Sequence, residues 1–467
     1  MLPSLRRLRF LLTALFVGAL LHAAPLSPAF QPDDRWAAVG DSITHSGTYH
    51  HWINLYHLTR FPARPLTLDN CGISGDTAAG AVRRYAWDIA PHHATVATIM
   101  LGMNDVTRAL YTAEPPSAEI LEKRAAALAA YEKNLRTLVA ALQADGARVT
   151  LITPSIFDQT ATLPAPPQVG VNDALGACAA FIEKLAAETG AAVVDFHGAM
   201  TRLNAELQRR DPAFTLIGPD RIHPAAPGHF VMAYAFLKAQ GAPSEVASLT
   251  LDARTATVTH AGNGRATAVR ATPTGGLAFT WAEDALPFPL VPDVAPALAW
   301  VPFTADLNRE LLTVSGLKTG TYQLRIDGAA IRTATAADLA AGLNLAVEPA
   351  TPQARQALAV AAILQDYTKL VTTELRGIAQ FEHQVMGKVP HPITVEQAQP
   401  YVTARLEALR KNPPPARSTA QNTEFYLERK AREAASRAEA ARLAAAARLA
   451  AQPGPHTYEI VPVTPTN

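Results

Sequence analysis

The chain has 467 residues, which suggests about three domains of roughly 150 residues each. Hydrophobic residues make up 49% and charged residues 17% of the chain, so it is not a fully disordered protein. The net charge of +1 gives no global basic field for nucleic-acid binding, and only two cysteines exclude a disulfide scaffold and a four-cysteine zinc site.

Residues 1–24 have the pattern of a secretory signal peptide. Three arginines precede an apolar core from Phe10 to Leu21, and the small residues Ala23 and Ala24 follow it. The core is too short to cross the roughly 30 Å of a bilayer interior, and no internal apolar run is long enough to do so. We expect a secreted or periplasmic protein. The alternative is a chain tethered by an uncleaved signal, because His22 stands where a cleavage site favours alanine.

Residues 25–244 alternate short apolar runs with helical patterns. The predicted strands are Trp36–Val39, Leu66–Asn70, Val96–Leu101, Val149–Thr153 and Ala192–Phe196. The predicted helices are Thr48–Arg60, Ala78–Ile89, Ser117–Ala144, Asn172–Thr189 and Pro227–Gln240. Continuous apolar runs are typical of parallel strands that are buried on both faces. The alternation therefore predicts a parallel α/β sandwich with right-handed crossovers.

Residues 245–345 predict a small, mainly antiparallel β domain. The predicted strands are Val246–Leu251, Ala256–Thr259, Ala266–Thr272, Leu312–Ser315, Tyr322–Ile326 and Ala330–Thr333. Asp327-Gly328 is a hairpin signal between the last two strands. Two interpretations stay open for this domain. It is a structural packing module, or it binds glycans through Trp281 and Trp300, which could stack on sugars.

Residues 346–452 form an alanine-rich helical region, and residues 453–467 are predicted to be a flexible tail. The run Pro413–Pro415 interrupts the helical pattern. Alanine buries little area per residue, so we expect these helices to pack against the protein or an envelope partner rather than to catalyse a reaction.

Reactive groups are expected in the loops after the strands of residues 25–244, because the carboxyl ends of parallel strands form the ligand crevice. The first loop is Gly40-Asp41-Ser42-Ile43-Thr44, in which Ser42 begins the next helical segment. The backbone N–H of Ser42 is free there and the helix dipole favours negative charge, which suits a nucleophile that creates an oxyanion. The alternative is that Ser42 or Asp41 only caps a helix.

The loops after the next two strands offer candidate oxyanion donors. The loop at residues 70–77 contains Gly75, where backbone can approach a ligand closely because glycine has no Cβ. Gly102-Met103-Asn104-Asp105 follows the third strand, and the Asn104 amide can donate a hydrogen bond without titrating. Taken singly, both Gly75 and Asn104 are more often ordinary turn residues.

The segment Asp220-Arg221-Ile222-His223-Pro224 supplies a candidate base and its partner. A three-residue offset in a turn brings the carboxylate and the imidazole to the same side, so Asp220 can hold one ring nitrogen of His223 while the other faces a serine. Such a pair on its own is usually a surface turn. The four loops together, in one α/β zone, supply a nucleophile, two oxyanion donors, a base and an orienting acid.

These four blocks resemble the SGNH (GDSL-like) hydrolases, in the order of that family, over residues 35–241. They are most similar to its secreted, lysophospholipase L1-like members. The resemblance implies a flavodoxin-like three-layer α/β/α fold and a serine esterase without a metal or other cofactor. It implies that Ser42 is the nucleophile, that Gly75 and Asn104 join the Ser42 N–H in the oxyanion hole, that His223 is the base and that Asp220 is its partner.

Four further side chains are candidates for substrate contact. His45 and Arg108 each follow a catalytic loop within four residues, and Tyr111 and Phe157 are candidates for the pocket wall. The alternative for all four is an ordinary solvated or packing role.

A metal site is not expected. His50, His51 and His57 lie in one predicted helix, but their spacing fits no standard ligand pattern and no carboxylate cluster accompanies them.

We therefore expect a secreted or periplasmic carboxylic-ester hydrolase that works through an acyl-enzyme. Among substrates, small acyl groups such as acetyl on carbohydrate come first and lysophospholipids second, while the oligomeric state stays open. The rival hypothesis is a non-catalytic envelope or glycan-binding protein on a hydrolase scaffold.

Overall fold

A computed structural model describes residues 30–64, 66–112, 115–412 and 417–463. These residues form an α/β unit, a sandwich of two β-sheets and a helical region. The predicted signal at residues 1–24 and the predicted break at Pro413–Pro415 lie outside them. Within the described residues, every helix is too short or too polar to span a bilayer.

Five parallel strands form the sheet of the α/β unit in the order β2-β1-β3-β4-β5. The strands are β1 (Asp34–Gly40), β2 (Leu66–Gly72), β3 (Val96–Met100), β4 (Arg148–Ile152) and β5 (Ala192–Val194). The helices are α1 (Ser42–His45), α2 (Thr48–Arg60), α3 (Ala78–Arg84), α4 (Ala118–Ala144), α5 (Val171–Thr189), α6 (Phe196–Gln208) and α7 (Ala226–Ala239). This strand order is flavodoxin-like and places the ligand crevice at the switch between β1 and β3.

Helices cover both faces of this sheet. Trp36 and Ala38 of β1 lie in one hydrophobic cluster with residues of α2, α6 and α7. Ala37 and Val39 lie in a second cluster with residues of α3, α4 and α5. All four side chains are 0% exposed, which is why β1 is a continuous apolar run rather than an alternating one. The predicted three-layer α/β/α fold is confirmed.

Two local boundaries of the α/β unit differ from the sequence prediction. The predicted strand Ala192–Phe196 ends at Val194, because the Asp195 side chain accepts a hydrogen bond from the Gly198 N–H and thereby caps α6. The helix α6 is not among the predicted helices. The predicted helix Ala78–Ile89 becomes a π-helix over Tyr85–Ile89.

The β-rich unit is a sandwich with a shared apolar core. Its strands are β6 (Glu245–Asp252), β7 (Thr257–Gly262), β8 (Gly264–Ala271), β9 (Leu277–Glu283), β10 (Arg309–Ser315), β11 (Thr321–Ile326), β12 (Ala329–Thr335), β13 (Leu343–Asn344) and β14 (Pro455–Pro462). One sheet has the order β13-β10-β6-β7 and the other β12-β11-β14-β9-β8. Asp327 and Gly328 both have positive φ and join β11 to β12, as the hairpin signal predicts.

The predicted flexible tail at residues 453–467 is wrong for Pro455–Pro462, which form β14. This strand pairs with β9 on one side and β11 on the other. Tyr458 and Ile460 are 0% exposed and belong to the sandwich core. Their partners lie more than a hundred residues away in sequence, so local composition carries no signal for the pairing. The β-rich unit therefore needs residues from both 245–345 and the C-terminus.

The helical region is inserted between β13 and β14. Two short helices, α8 (Phe303–Leu307) and α9 (Ala336–Ala341), precede it, and it comprises α10 (Pro352–Leu370), α11 (Arg376–Val385), α12 (Val395–Lys411), α13 (Arg417–Glu424), α14 (Tyr426–Ala431) and α15 (Glu433–Ala450). Ala357, Val360 and Leu364 of α10 and Ala447 of α15 share a hydrophobic cluster with α2. The small alanine side chains of α15 allow it to pack closely against α10. The helical region is therefore packed against the α/β unit.

The interpretation of Trp281 as a sugar-stacking residue is wrong. This indole is 0% exposed and lies in the core of the sandwich. Trp300 is only partly exposed, and its ring meets Phe214 edge-on with 5.1 Å between ring centroids. Trp281 is buried and Trp300 packs against Phe214, which favours the packing role for the β-rich unit.

Candidate active site

Ser42, His223 and Asp220 form one hydrogen-bonded chain. Ser42 begins α1 directly after β1, and its Oγ lies 2.8 Å from His223 Nε2. His223 Nδ1 lies 2.5 Å from Asp220 Oδ2. Because Asp220 Oδ1 also accepts the backbone N–H groups of Ile222 and His223 at 3.0 Å, the carboxylate is fixed within its own turn. The side chains of His223 and Asp220 are 49% and 48% exposed, so these three hydrogen-bonded side chains are accessible to a ligand.

The pKa of Asp220 is lowered, which favours the ionised carboxylate next to His223. Partial burial favours the neutral acid, but the hydrogen bonds from the His223 N–H, the His223 ring and the Ile222 N–H outweigh it and lower the pKa of Asp220. The ionised carboxylate holds the Nδ1–H of His223, which leaves Nε2 to accept the proton of the Ser42 hydroxyl.

Asn104 is held in one amide orientation. Its Nδ2 donates to the backbone oxygen of Asp76 at 2.9 Å, and its Oδ1 accepts from Arg108 Nη1 at 3.2 Å. Arg108 also donates to the backbone oxygen of Met103 at 2.7 Å. Since a guanidinium can only donate, it fixes the amide with its nitrogen away from Arg108. The second hydrogen on Nδ2 is then available to an oxyanion.

Gly75 lies in the turn after β2 with φ of +78°, a conformation that favours glycine. Three residues earlier, Gly72 packs against α1 so closely that a Cβ would lie 2.2 Å from the His45 backbone nitrogen. Only glycine fits there. This close contact brings the turn that carries Gly75 to the loop that carries Ser42.

A buried network of charges supports this turn and was not predicted from the sequence. Arg84 donates to Asp76 Oδ2 at 2.7 Å and to Asp88 Oδ2 at 2.5 Å. Arg376 of α11 holds both oxygens of Asp88 at 2.8 Å, and its Nε donates to the Gly72 backbone oxygen at 3.0 Å. The spacing of Arg84 and Asp88 on adjacent helical turns is a local signal. Nothing local points to Arg376, which is 288 residues from Asp88.

Two acidic residues of these loops, Asp41 and Asp105, have raised pKa values. Burial raises the pKa of Asp41 to about 6, against a hydrogen bond from the Ile43 N–H that lowers it. Burial likewise raises the pKa of Asp105 to about 7, and the neighbouring charges of Asp41 and Asp76 add to the rise. Asp105 Oδ1 accepts the Ala78 N–H at 2.9 Å, so it anchors the start of α3.

The four candidates for substrate contact divide into two pairs. His45 borders a cleft next to Gly75, and its Nδ1 accepts the Ser74 N–H at 3.2 Å. Burial lowers the pKa of His45 to about 4, so this imidazole is neutral. Arg108 orients Asn104 as described above. Tyr111 and Phe157 are 5% and 2% exposed within the apolar cluster on the α3–α5 face, so their contact with substrate stays a prediction.

His50, His51 and His57 do not converge on one point. His50 Nε2 pairs with the Thr44 backbone oxygen at 3.0 Å, and His51 Nδ1 with the Thr368 hydroxyl at 2.9 Å. His57 packs edge-on against Phe30, with 5.2 Å between ring centroids. In the part of the chain that the structure describes, no three His, Cys, Asp or Glu side chains are grouped so that they could hold a metal ion.

Comparisons with known proteins agree with this geometry. Residues 38–230 match the GDSL-like Lipase/Acylhydrolase family. An acetylxylan esterase from Geobacillus stearothermophilus is 28% identical over 181 residues, which is 39% of this chain and 75% of that protein. The solved structure of a gut microbial diltiazem-metabolizing enzyme is 29% identical, with a TM-score of 0.85 over 94% of this chain and 99% of that chain. The protein therefore carries a domain of the GDSL-like lipase/acylhydrolase (SGNH) family and is a hydrolase of ester bonds.

Proposed function

We propose that this protein is a secreted or periplasmic serine esterase that removes small acyl groups, acetyl first among them, from carbohydrate. The observation that carries the catalytic part is the chain from Ser42 Oγ through His223 to Asp220, at 2.8 and 2.5 Å. The similarity to an acetylxylan esterase over residues of the hydrolase domain supports an acetylated carbohydrate as substrate.

The proposed reaction runs through an acyl-enzyme. Ser42 Oγ attacks the ester carbonyl carbon while His223 Nε2 takes its proton. The oxyanion accepts hydrogen bonds from the backbone N–H groups of Ser42 and Gly75 and from Asn104 Nδ2. The intermediate then expels the alcohol, which takes the proton from His223. Water, deprotonated by the same imidazole, then attacks the acyl carbon. The bond from that carbon to Ser42 Oγ breaks as His223 returns the proton to Ser42, and the acid is released.

The decisive variant is Ser42→Ala. It removes one oxygen from a partly exposed side chain, so the fold should be retained while turnover of 4-nitrophenyl acetate falls about 10⁴–10⁶-fold. A fluorophosphonate probe should label the wild-type chain at Ser42 and leave the variant unlabelled. Turnover of Ser42→Ala within tenfold of wild type would reject Ser42 as the nucleophile.

The substrate class is tested by direct competition. Acetate release from acetylated xylan should exceed fatty-acid release from lysophosphatidylcholine, and 4-nitrophenyl acetate should be cleaved faster than 4-nitrophenyl laurate. The reverse order would favour the lysophospholipid substrate. Inactivity on all four esters would favour the non-catalytic glycan-binding hypothesis.

Secretion and signal-peptide cleavage are tested separately from esterase activity. Expression of the full-length gene in a Gram-negative host should give a mature chain in the periplasmic or culture fraction whose N-terminus lies after Ala24. Recovery of the uncut chain in the membrane fraction would favour the tethered form.

A further inference from the structure

A polar cleft of about 550 Å³ opens beside the turn that carries Gly75. One wall consists of residues that follow β1 and β2, including His45 and Ser74, and the other comes from the C-terminal helical region. The volume lies within the roughly 300–1,000 Å³ of small-molecule sites. The polar side chains on the helical wall include Thr373, Gln380, Gln384, Gln421, Asn422 and Arg429.

Four hydrogen bonds join the helical wall into a ladder that ends at the turn itself. Arg429 Nη1 donates to Asn422 Oδ1 at 3.0 Å. Asn422 Nδ2 donates to Gln380 Oε1 at 3.1 Å, and Gln380 Nε2 donates to Gln384 Oε1 at 3.4 Å. Gln384 Nε2 then donates to the Ser74 backbone oxygen at 2.8 Å, one residue before Gly75.

The two ends of this ladder fix the direction of every amide in it. A guanidinium can only donate and a backbone oxygen can only accept, so each intervening amide must turn its oxygen toward Arg429 and its nitrogen toward Ser74. Hydrogen bonds that run in one direction also polarise one another. The wall is therefore preorganised before any ligand arrives.

The ladder leaves unused hydrogen-bonding capacity along the cleft. Each amide NH₂ has two hydrogens and each amide oxygen has two lone pairs, and the ladder uses one of each. Alternating donors and acceptors on a fixed wall match hydroxyl groups, each of which can both donate and accept. The described residues that line the cleft include no Asp or Glu, and Glu374 lies 3.7 Å from the lining cation Arg429. This chemistry favours a neutral ligand rich in hydroxyls.

An exposed aromatic ring adjoins the cleft. Phe425 is 43% exposed, and the Cζ atom of Arg429 lies 5.7 Å from its ring centroid. A large apolar side chain exposed at the end of a polar wall offers a flat face on which a sugar ring can stack.

We propose that this cleft is the carbohydrate subsite of the enzyme, which binds the sugar residues next to the acetylated one. The proposal rests on the esterase function proposed above. An acetyl group is too small and apolar to use the ladder, so the cleft serves the hydroxylated alcohol half of the ester. The helical region thus sets substrate preference through a wall that reaches the turn carrying Gly75.

The test compares two substrates in the full-length protein: acetylated xylo-oligosaccharides and 4-nitrophenyl acetate. Thr373→Trp narrows the cleft, and Gln380→Ala breaks the middle of the ladder. We expect the ratio of kcat/KM for the oligosaccharides to that for 4-nitrophenyl acetate to fall about tenfold in Thr373→Trp. For Gln380→Ala we expect a fall of about threefold to tenfold, carried mainly by a higher KM, as the loss of one or two neutral hydrogen bonds predicts.

Matched controls lie on α12, outside the cleft lining. Thr403 is exposed like Thr373, and both hydroxyls bond the backbone oxygen four residues earlier. Thr403→Trp and Gln399→Ala should leave the substrate ratio within about twofold of wild type. Ratios for Thr373→Trp and Gln380→Ala that match these controls would overturn the subsite, and so would a loss confined to 4-nitrophenyl acetate. If the proposed esterase function itself is wrong, the wild-type protein will not hydrolyse 4-nitrophenyl acetate, and this result is distinct from the failure of the subsite proposal.

Discussion

Arg376 joins the helical region to the turn that carries Gly75, and we predict that Arg376→Met loosens this junction. The arginine is 4% exposed. It makes two bonds of 2.8 Å to Asp88 and one of 3.0 Å to the Gly72 backbone oxygen. Methionine is also unbranched and fills similar space, but it removes the charge and all three hydrogen bonds.

The size of the effect follows from the charge that is left behind. Removing one partner of a buried ion pair costs about 3–5 kcal/mol, because the other charge stays in a poorly solvated site. Asp88 keeps Arg84 as a partner at 2.5 Å, so we expect the lower end, about 3 kcal/mol. For a unit of 150–250 residues this lowers the melting temperature by about 6–12 °C.

The loss of stability in Arg376→Met should also depend on pH. Burial tends to raise the pKa of Asp88, but Arg376 first and Arg84 second outweigh it and hold that pKa below the ordinary 3.8. A depressed carboxyl pKa contributes stability above the unfolded value, and the contribution disappears as the pH falls through the folded value. Without Arg376 the pKa of Asp88 rises. The difference between the two proteins is therefore greatest near neutral pH and shrinks in acid.

Three measurements check this reasoning: thermal unfolding, kcat on 4-nitrophenyl acetate, and hydrogen–deuterium exchange of residues 72–76. We expect a lower melting temperature, a lower kcat and faster exchange in that turn. Arg442→Met is the control, because Arg442 is 64% exposed and pairs with Glu439 on the same helix. If Arg376→Met melts within about 2 °C of wild type and exchanges like the control, Arg376 does not stabilise the turn.

Three further outcomes are expected. Asn104→Ala should lower kcat about 10²–10³-fold with little change in KM, and a pure KM effect would mean that the amide binds the ground state. Gly72→Ala should abolish soluble, active protein because its Cβ would meet the His45 backbone, whereas Gly454→Ala, with nothing within 4 Å, should not. Burial raises the pKa of Glu310 to about 7, so its folded state takes up protons and wild-type stability falls as the pH rises from about 4.5 to 7. The stability gain of Glu310→Gln in urea unfolding should therefore be larger at pH 8 than at pH 5, and equal gains would contradict the raised pKa.

The α/β unit could be predicted because its signals are local. Most strands are short apolar runs, and the start of α4 is marked by Ser117, whose hydroxyl accepts the Ile120 N–H in the first turn. The sequence also predicts that the loops of Ser42 and Asn104 share one edge of the sheet, because parallel strands end there.

The same local logic failed where a residue's environment comes from a distant part of the chain. The sequence does not show that the side chains of Tyr111 and Phe157 are buried in the apolar core, because burial depends on the residues that pack around them. β14 needs β9 and β11 before its backbone groups can pair, so in isolation it resembles a tail.

The sequence alone determined the parallel α/β class, because strand periodicity and turn chemistry act over a few residues. The resemblance of its four loop blocks to the SGNH hydrolases implied the family and the three-layer fold. Only the tertiary structure decided that the C-terminal helices contact the turn that carries Gly75. The bond from Arg376 to Gly72 spans 304 residues and that from Gln384 to Ser74 spans 310. Such contacts exist only after the sandwich, the helices and the α/β unit have buried their apolar faces together, and that burial is a property of the assembled layers rather than of any segment.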